Sequence, residues 1–462
     1  MRRLRPDDDY MIRLETENTP QHIGALQHYD CSGLDGSFFD AVAAHFARRL
    51  PATPLLCRRR QAPLGYDADV WLDLAECDLS QHVQRVPTAS PMSPEEVRAF
   101  IQAKVVERID LTGPPFMVYV FDRLSHGVEG PGAARGPESV GAIYLKVHHC
   151  VADGVGFQNI VGLLTDPTPD PAYDVSPRTA DEKAPTAALW MARSAARFRR
   201  EARLKQAQSA QRSAARAAYR AFRADPANKR APTPKLQLAQ KTGQQRRYLP
   251  LSLSLDRVRA AGKRLGGSVN DVFLACAAGA LRRYLIDAND LPDQPLVAVA
   301  ARSYRKPEHG LFGNRIITLN PSIHVQLADP VERFKAIQRS TAIEVERARL
   351  TEPLISEFDT PFGARKRYAD YARRTAGGQA VIAGNITLSN VPGPAEPVHL
   401  AGARMLTNYP TPILGSGRFL NITLRRYCGH LDLGIMTDPE QLGDVDVLGQ
   451  YLAEALDELA QA

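Results

Sequence analysis

The sequence predicts an α/β protein of two domains, and three observations carry that prediction. The chain of 462 residues is long enough for two hydrophobic cores of ordinary size. Residues 142–164 form an apolar β-rich run, a turn at Asp153-Gly154, and then apolar residues at helical spacing, which together predict strand, turn and helix. A second strand-to-helix pattern begins at Arg247, where Asp256 is predicted to cap the helix. Both halves therefore alternate strands with helices.

The segment between the halves differs from both of them in composition. Proline-rich stretches at 166–171 and 232–235 frame it, and we place the first domain at 1–175, the connector at 176–245 and the second domain at 246–462. The connector is rich in Ala and Arg, which favours helix, and it holds much of the net charge of +7. It is either an amphipathic helix for an anionic membrane surface or a solvated connector with one face on the domains. Nucleic acid is not expected, because no nucleic-acid-binding motif accompanies the charge.

The overall composition is that of a soluble globular protein, with 44% hydrophobic and 24% charged residues. The six cysteines are scattered without a Cys-x-x-Cys spacing, which predicts reduced thiols in a cytoplasmic setting. The first residues lack the apolar core of a signal peptide. No run approaches the roughly 20 apolar residues of a membrane-spanning helix, so any membrane contact is expected to be peripheral.

Two adjacent histidines end the strand of the first half. Successive side chains on a strand point to opposite faces, so His148 and His149 are not expected to share a metal ion, and no metal site is predicted. His149 is nearer the turn and is the better candidate for a ring that faces a cavity, where a neutral imidazole could take a proton from a hydroxyl. Asp153 either holds this ring or pairs with an arginine, and Gly154 permits a close backbone approach. The alternative is a strand end with two structural histidines.

The run His148-His149-Cys150-Val151-Ala152-Asp153-Gly154 resembles the HHxxxDG motif of the CoA-dependent acyltransferase superfamily. That superfamily includes chloramphenicol acetyltransferase, peptide-synthetase condensation domains and the bacterial wax ester synthase/diacylglycerol acyltransferases. Further stretches resemble the last of these families in order and spacing, and cover nearly the whole chain: Asp8 to Gly24, Asn270-Asp271, Leu296 to Arg302, Gly313-Asn314-Arg315, Leu388 to Pro394, Leu400 to Arg404, and Asn421 to Gly429.

Several positions depart from the family pattern. Arg5 stands where Ser is usual, Gln21 where Met is usual, Pro115-Phe116 where Leu-Trp is usual, and Arg426 where Ser is usual, and Ala replaces Pro and Ser in the stretch from Leu296 to Arg302. Phe116 keeps an apolar role but has no indole N–H to donate, which puts the preferred substrate in question rather than the chemistry. The Phe116 and Arg426 departures together leave a non-catalytic relative open.

The resemblance implies two chloramphenicol-acetyltransferase-like domains with a tunnel at their interface. Acyl-CoA, as a substrate, would enter one mouth and a long-chain alcohol or diacylglycerol the other, with no further cofactor. His149 would be the general base for direct attack of the hydroxyl on the thioester, with His148 and Gly154 completing the motif. Asp153 would brace the site by pairing with Arg302 from the second half.

The remaining site residues also follow from the resemblance. Asn270 is either a helix cap or a donor that steadies an oxyanion near the active histidine. The substrate-binding residues it implies are Asp271, Arg302, Asn314, Ser389 and Asn390, of which Asp271 is also expected to serve the structure. Cys150 is expected to point away from His149 along the strand, which disfavours a Cys–His acyl-enzyme.

Two other functions stay open at this point. One is an enzyme of the same fold whose donor is an acyl or peptidyl carrier protein. The other is a non-catalytic lipid-binding relative. For the acyltransferase that the resemblance implies, the expected location is cytoplasmic, with peripheral contact to the inner membrane or to lipid inclusions.

Overall fold

The computed structural model describes residues 2–62, 67–130, 133–136, 139–169, 180–239, 242–355, 369–370, 373, 384–415 and 417–462. Its strands are β1 (Arg2–Arg3), β2 (His22–Asp30), β3 (Cys57–Arg60), β4 (Val70–Asp73), β5 (Val83–Arg85), β6 (Phe116–Phe121), β7 (Val128–Gly130), β8 (Ala133–Arg135), β9 (Val140–His148), β10 (Arg247–Ser254), β11 (Ala298–Ser303), β12 (Ile316–Leu319), β13 (Ile386–Val391), β14 (His399–Leu400), β15 (Ala403–Thr411), β16 (Leu420–Tyr427) and β17 (His430–Thr437). Its helices are α1 (Pro6–Leu14), α2 (Phe38–Arg49), α3 (Leu79–His82), α4 (Pro94–Lys104), α5 (Gly154–Leu164), α6 (Ala187–Ala207), α7 (Ser209–Ala224), α8 (Leu255–Leu265), α9 (Val269–Asp287), α10 (Pro330–Thr351) and α11 (Val445–Gln461).

The first sheet has six strands in the order β14-β15-β2-β9-β6-β5. Every residue of β9 is buried, which explains why this strand reads as a continuous apolar run. Phe46 of α2 and Phe157 of α5 belong to the core on one face of the sheet. The predicted strand, turn and helix of residues 142–164 are confirmed: β9 ends at His148, and Asp153 caps α5 through the backbone N–H of Gly156.

The second sheet also has six strands, in the order β10-β17-β16-β13-β11-β12. Its core includes residues of α8, α9 and α11. The strand predicted at Arg247 is present as β10, but the cap assigned to Asp256 was wrong. The side chain of Ser254 accepts from the backbone N–H of Arg257, and Asp256 lies in the first turn of α8.

The first sheet is built from both halves of the sequence. β14 and β15 belong to the predicted C-terminal segment, yet β15 pairs antiparallel with β2, with Tyr409 opposite Leu26 and Thr411 opposite Gly24. This crossover fixes one half of the molecule against the other through backbone hydrogen bonds. Residues that follow β15, among them Pro412 and Ile413, line a cavity between the two halves.

The connector is helical in its described part, as predicted, and consists mainly of α6 and α7. Trp190 of α6 is buried with Val70 and Leu72 of the small sheet β1-β4-β3, whereas α7 has no buried residue. Arg347 of α10 lies over the ring of Phe222 in α7, with the guanidinium 5.1 Å from the ring centroid. Among the described helices, none is long and apolar enough to cross a membrane.

Candidate active site

A cavity of about 440 Å³ lies between the two halves. Strands of the second sheet supply one wall through alternate residues, which share a face because successive side chains point to opposite sides. These residues are Thr387, Ser389 and Val391 of β13 and Asn421, Thr423 and Arg425 of β16. The first half contributes residues of α1, β2 and the turn after β9, including Met11, Ile23 and His149. The lining mixes apolar and polar side chains, as is usual for small-molecule sites.

His149 and His148 face different surroundings. His149 directly follows β9, and its backbone N–H donates to the carbonyl of Gln21 at 2.8 Å. Its ring lines the cavity, whereas the ring of His148 is fully buried away from it. This is the arrangement that strand geometry predicts for adjacent residues.

The surroundings of His149 favour the neutral form of its ring. Burial lowers its pKa from the ordinary value, and the nearby charge of Asp153 and its own backbone carbonyl only partly oppose that effect. The buried Nδ1 makes no hydrogen bond to any residue that the structure describes. A neutral imidazole has one ring nitrogen with a free lone pair, and that nitrogen can accept a proton.

The ring of His148 contacts the buried carboxylate of Glu15, a residue that the sequence analysis did not assign to the site. Its Nε2 lies 3.5 Å from Oε1 of Glu15, and its Nδ1 accepts from the backbone N–H of Cys150 at 3.1 Å. Burial alone would raise the pKa of Glu15, but hydrogen bonding and charge from His148, with further help from Gln21 and Arg108, lower it overall. Glu15 therefore anchors the strand end behind His149.

Asp153 braces the turn, but its partner is Arg305 and not Arg302. Nη2 of Arg305 donates to both carboxylate oxygens at 3.1 Å. The same carboxylate accepts from the backbone N–H groups of Gly156 and Arg315, each at 2.7 Å. The predicted partner Arg302 points elsewhere, with its Nη1 3.5 Å from the carbonyl of Val345 in α10.

Arg305 also holds the loop that approaches the motif from the second half. Its guanidinium donates to the carbonyls of Gly310, Phe312 and Gly313 at 3.0, 2.9 and 2.5 Å. The backbone N–H of Gly313 in turn donates to the carbonyl of Val151 at 2.8 Å. One arginine thus ties the 310–313 loop to the turn that carries His149.

Asn314 joins this loop directly to the backbone of His149. Its fully buried side-chain amide donates to the carbonyl of His149 at 2.8 Å and to Asp8 at 2.9 Å. Burial raises the pKa of Asp8 to about 6, with the hydrogen bonds from Asn314 opposing the shift. The predicted substrate-binding role of Asn314 stays a prediction, and the contacts observed here tie its side chain to the backbone of His149.

Gly154 lies where the two halves approach each other too closely to leave room for a side chain. A Cβ atom at this position would lie 2.8 Å from Cγ2 of Val391 in β13, inside the normal contact distance. A side chain here would push the second sheet away from the turn. The glycine of the motif therefore sets the width of the cavity beside His149.

The Asn270-Asp271 pair does not reach the cavity lining in this structure. Ser268 caps α9 by accepting from the backbone N–H of Asp271, whose carboxylate accepts in return from the backbone N–H of Ser268. Asp271 thus has the structural role that was also expected of it, and its part in substrate binding stays a prediction. Nδ2 of Asn390 donates to Oδ1 of Asn270 at 3.4 Å, and neither residue lines the cavity. Ser389, by contrast, does line it.

Several functional positions escaped the sequence analysis. Asp8 and Glu15 matched the family pattern but had no visible link to the histidines, since each contact spans a large sequence separation. Arg305 follows β11 in a loop, where no periodicity marks it. Arg425 was detectable in principle, because it continues the alternate-residue pattern of Asn421 and Thr423.

No group of three or more His, Cys, Asp or Glu side chains is placed to hold a metal ion in the part of the chain that the structure describes. Cys150 is buried in the core of the first half, and burial raises the pKa of its thiol well above the usual value. A thiol in such surroundings is a poor nucleophile. Of the two histidines of the motif, His149 is the one that lines the cavity.

Comparison with known proteins identifies two family domains along the chain. Residues 4–273 match the wax ester synthase/diacylglycerol acyltransferase catalytic domain, and residues 312–460 match the C-terminal domain of the same family. A putative diacylglycerol O-acyltransferase of Mycobacterium tuberculosis is 27% identical, with 100% of this chain and 97% of the relative covered. The O-acyltransferase WSD of Acinetobacter baylyi is 26% identical, with 99% of this chain and 96% of the relative covered.

Solved structures share the fold. The wax ester synthase/diacylglycerol acyltransferase from Marinobacter aquaeolei VT8 matches with a TM-score of 0.68 at 24% identity, covering 100% of both chains. A starter condensation domain of rhizomide synthetase matches with a TM-score of 0.58 at 13% identity, covering 100% of this chain and 94% of that one. The predicted α/β architecture of two chloramphenicol-acetyltransferase-like halves is confirmed.

Proposed function

Because the chain belongs to the wax ester synthase/diacylglycerol acyltransferase family, we propose that it transfers a fatty acyl group from acyl-CoA to the hydroxyl of a long-chain alcohol or a diacylglycerol. The observation that carries the proposal is the ring of His149, held at the wall of a cavity between the two halves. The relatives named above are O-acyltransferases and fit this chemistry.

The proposed reaction is a direct displacement with both substrates bound. Nε2 of His149 takes the proton of the acceptor hydroxyl as its oxygen attacks the thioester carbonyl carbon. A carbon–oxygen bond forms, the carbon–sulfur bond breaks, and the imidazolium returns the proton to the departing CoA thiolate. General-base catalysis of this kind contributes about 10²–10⁴-fold, and the shared cavity adds the advantage of proximity. No covalent acyl-enzyme is required.

The surrounding residues hold His149 for this task. Asn314 holds its backbone carbonyl, the Asp153–Arg305 pair fixes the turn that follows it, and Glu15 supports His148 on the other side. None of these three groups lines the cavity. We assign them positioning roles, which act through the placement of the imidazole.

The assay of the proposed function follows the CoA thiol released from palmitoyl-CoA, with 1-hexadecanol or 1,2-dipalmitoylglycerol as acceptor and with the ester product identified by mass spectrometry. Release is expected only when an acceptor is present. Equal release without an acceptor would mean hydrolysis, and no release with any acceptor would contradict the proposal.

The pH dependence follows from the lowered pKa of His149. The general base must be neutral, and a histidine whose pKa lies below the ordinary 6.5 stays neutral to a more acidic pH than a free one. We expect kcat/KM to be flat through neutral pH and to fall only below pH 6.5, with one proton per molecule. The measurement is kcat/KM between pH 5 and 8, with thermal unfolding followed at each pH. An inflection above 7 would contradict it.

We also propose that the α6–α7 connector contacts an anionic lipid surface. The exposed apolar side chains Leu189, Met191 and Leu204 lie on α6 among basic residues, and α7 carries further arginines without a buried residue. Such helices bind anionic lipid through apolar contact and charge together. The proposal fits an acceptor that partitions into lipid.

Binding to vesicles tests the lipid contact. Sedimentation with phosphatidylglycerol-containing vesicles is expected at low salt, and is expected to weaken at high salt and with pure phosphatidylcholine. The double variant Arg216→Glu and Arg220→Glu on α7 should weaken binding at least about tenfold, since each basic residue contributes about 1 kcal/mol. Arg259→Glu, on the exposed face of α8, is the matched control. Equal binding by both would contradict the proposal.

A further inference from the structure

Arg425 is a buried cation in the wall of the cavity. It follows Asn421 and Thr423 on the cavity side of β16, while its neighbour Arg426 is exposed on the opposite side of the strand. The residue is only 3% exposed. A guanidinium taken out of water is costly unless a partner replaces the lost hydration. Its presence at the substrate cavity therefore calls for a partner.

The described residues provide only some of the hydrogen bonds that the Arg425 guanidinium can make. Nη1 of Arg425 donates to Oδ1 of Asn408 at 2.8 Å, and the guanidinium lies 5.0 Å from the ring centroid of Phe157. Its Nε is buried without a hydrogen bond, and Nη2 makes none to the described part of the chain. No carboxylate of the described residues forms an ion pair with it within 4.0 Å.

Asp432 lies opposite Arg425 in the pairing of β16 with β17 and already has hydrogen-bond donors. Its carboxylate accepts from the backbone N–H of Asn408 at 2.7 Å and from the hydroxyl of Ser252 at 2.8 Å. Burial raises its pKa to about 6, and the two hydrogen bonds oppose that shift more than the charge of Arg425 does. Asp432 therefore acts on the charge of Arg425 without forming an ion pair with it.

Arg425 lines the same cavity as His149. It is opposite Val391 in the parallel pairing of β13 with β16, and Val391 packs against Gly154. Phe157, whose ring faces the guanidinium, is in the first turn of α5. A molecule bound in this cavity can therefore meet both His149 and Arg425.

We propose that Arg425 binds a carbonyl-type oxygen of the acyl acceptor, and so selects acceptors that carry such an oxygen near the hydroxyl over plain long-chain alcohols. This inference rests on the proposed function and narrows its acceptor class. A planar guanidinium hydrogen-bonds well to an ester carbonyl or a carboxylate, and more strongly away from water. A plain alcohol would surround the charge with hydrocarbon and leave it unsatisfied. The two sources of the oxygen are a glyceride ester and a hydroxy fatty acid.

Three acceptors test the proposal, each with palmitoyl-CoA: 1-hexadecanol, 1,2-dipalmitoylglycerol and 3-hydroxyhexadecanoate. The wild type is expected to favour one or both of the last two. Arg425→Gln should lower their kcat/KM relative to that of 1-hexadecanol by about 10- to 100-fold, the usual effect of a hydrogen bond to a charged group. Arg425→Lys, which keeps the charge but not the planar fork, should recover part of the loss for the carboxylate. Arg426→Gln is the matched control and should leave the ratio unchanged.

The outcomes separate the sources and the alternatives. A loss confined to the glyceride identifies an ester carbonyl, and one confined to the hydroxy acid identifies a carboxylate. Unchanged ratios in folded Arg425→Gln would overturn the inference, as would an equal rise in the KM of palmitoyl-CoA with every acceptor. If the variant does not fold, a wild-type preference for 1-hexadecanol overturns it instead.

Measuring the binding of acceptors without turnover separates a failure of this inference from a failure of the proposed function. Affinities of the wild type for 3-hydroxyhexadecanoate and for a short-chain diacylglycerol, measured by calorimetry without acyl-CoA, are expected to exceed that for an alcohol of matched chain length. If this preference is found but no ester forms with any acceptor, the proposed function fails alone. If esters form but neither oxygen-bearing acceptor binds better, the Arg425 inference fails alone.

Discussion

Replacing His149 with alanine is expected to lower kcat for acyl transfer by about 10²–10⁴-fold while the protein stays folded. The imidazole lines the cavity, and its Nδ1 makes no hydrogen bond to a described residue, so its removal is expected to cost little stability. The loss in rate is that of the proton acceptor, since the same hydroxyl would then attack without a base. The measurement is release of CoA from palmitoyl-CoA with each acceptor at saturating concentration, together with the midpoint of thermal unfolding.

His430→Ala serves as the control for this prediction, because His430 lies at the start of β17 and does not line the cavity. It should keep the wild-type rate. Wild-type rates in His149→Ala would contradict the proposed mechanism. A wild type that is inactive with acyl-CoA but active with an acyl carrier protein would support the carrier-protein alternative. Lipid binding without turnover, unchanged in His149→Ala, would support the lipid-binding alternative.

Local rules were enough to place His149. The strand, the turn and the helix of residues 142–164 follow from short-range patterns, and alternation along β9 separates the two histidines. The same rules could not identify Arg305, because it lies in a loop that is brought to Asp153 only by the folded second half. Arg302, on a regular strand, was the more visible arginine and the wrong one.

One other error and one omission have equally specific causes. A cap of α9 was offered at Asn270, although Ser268 and Asp271 form the Ser-x-x-Asp pattern of a capping box, which the sequence does contain. The pairing of β15 with β2 could not be derived, because it joins Thr411 to Gly24 across nearly the whole chain. Long-range pairing depends on the topology of the fold and leaves no local pattern in either strand.

Loss of the Asp153–Arg305 pair is expected to cost the protein about 3–5 kcal/mol of stability, the usual effect of leaving one buried charge without its partner. The Arg305 side chain is 9% exposed, and Asp153 is 1% exposed. In Arg305→Gln the carboxylate keeps its two backbone donors but loses both contacts to the guanidinium, and the 310–313 loop loses three donors. Asp153→Ala should cost at least as much, because it also removes the cap of α5.

Activity should fall together with stability, because the same loop carries Asn314 to the backbone of His149. A positioning role predicts a lower kcat, with the KM for acyl-CoA changed less, and an acid limb of the pH profile that shifts with the environment of His149. Urea and thermal unfolding measure the loss of stability. The loss of activity is measured as kcat at a temperature where the variant is still folded.

Arg302→Gln is the matched control for Arg305→Gln, since the two arginines lie three positions apart and only Arg305 contacts Asp153. Arg302 makes a single long contact to a backbone carbonyl, so its loss should change stability by less than about 0.5 kcal/mol. If Arg302→Gln proved the more damaging substitution, the ion pair assigned here would be wrong. If Arg305→Gln were as stable as the wild type but inactive, Arg305 would act on the substrate rather than as a brace, and the division between positioning and reacting residues would have to be redrawn.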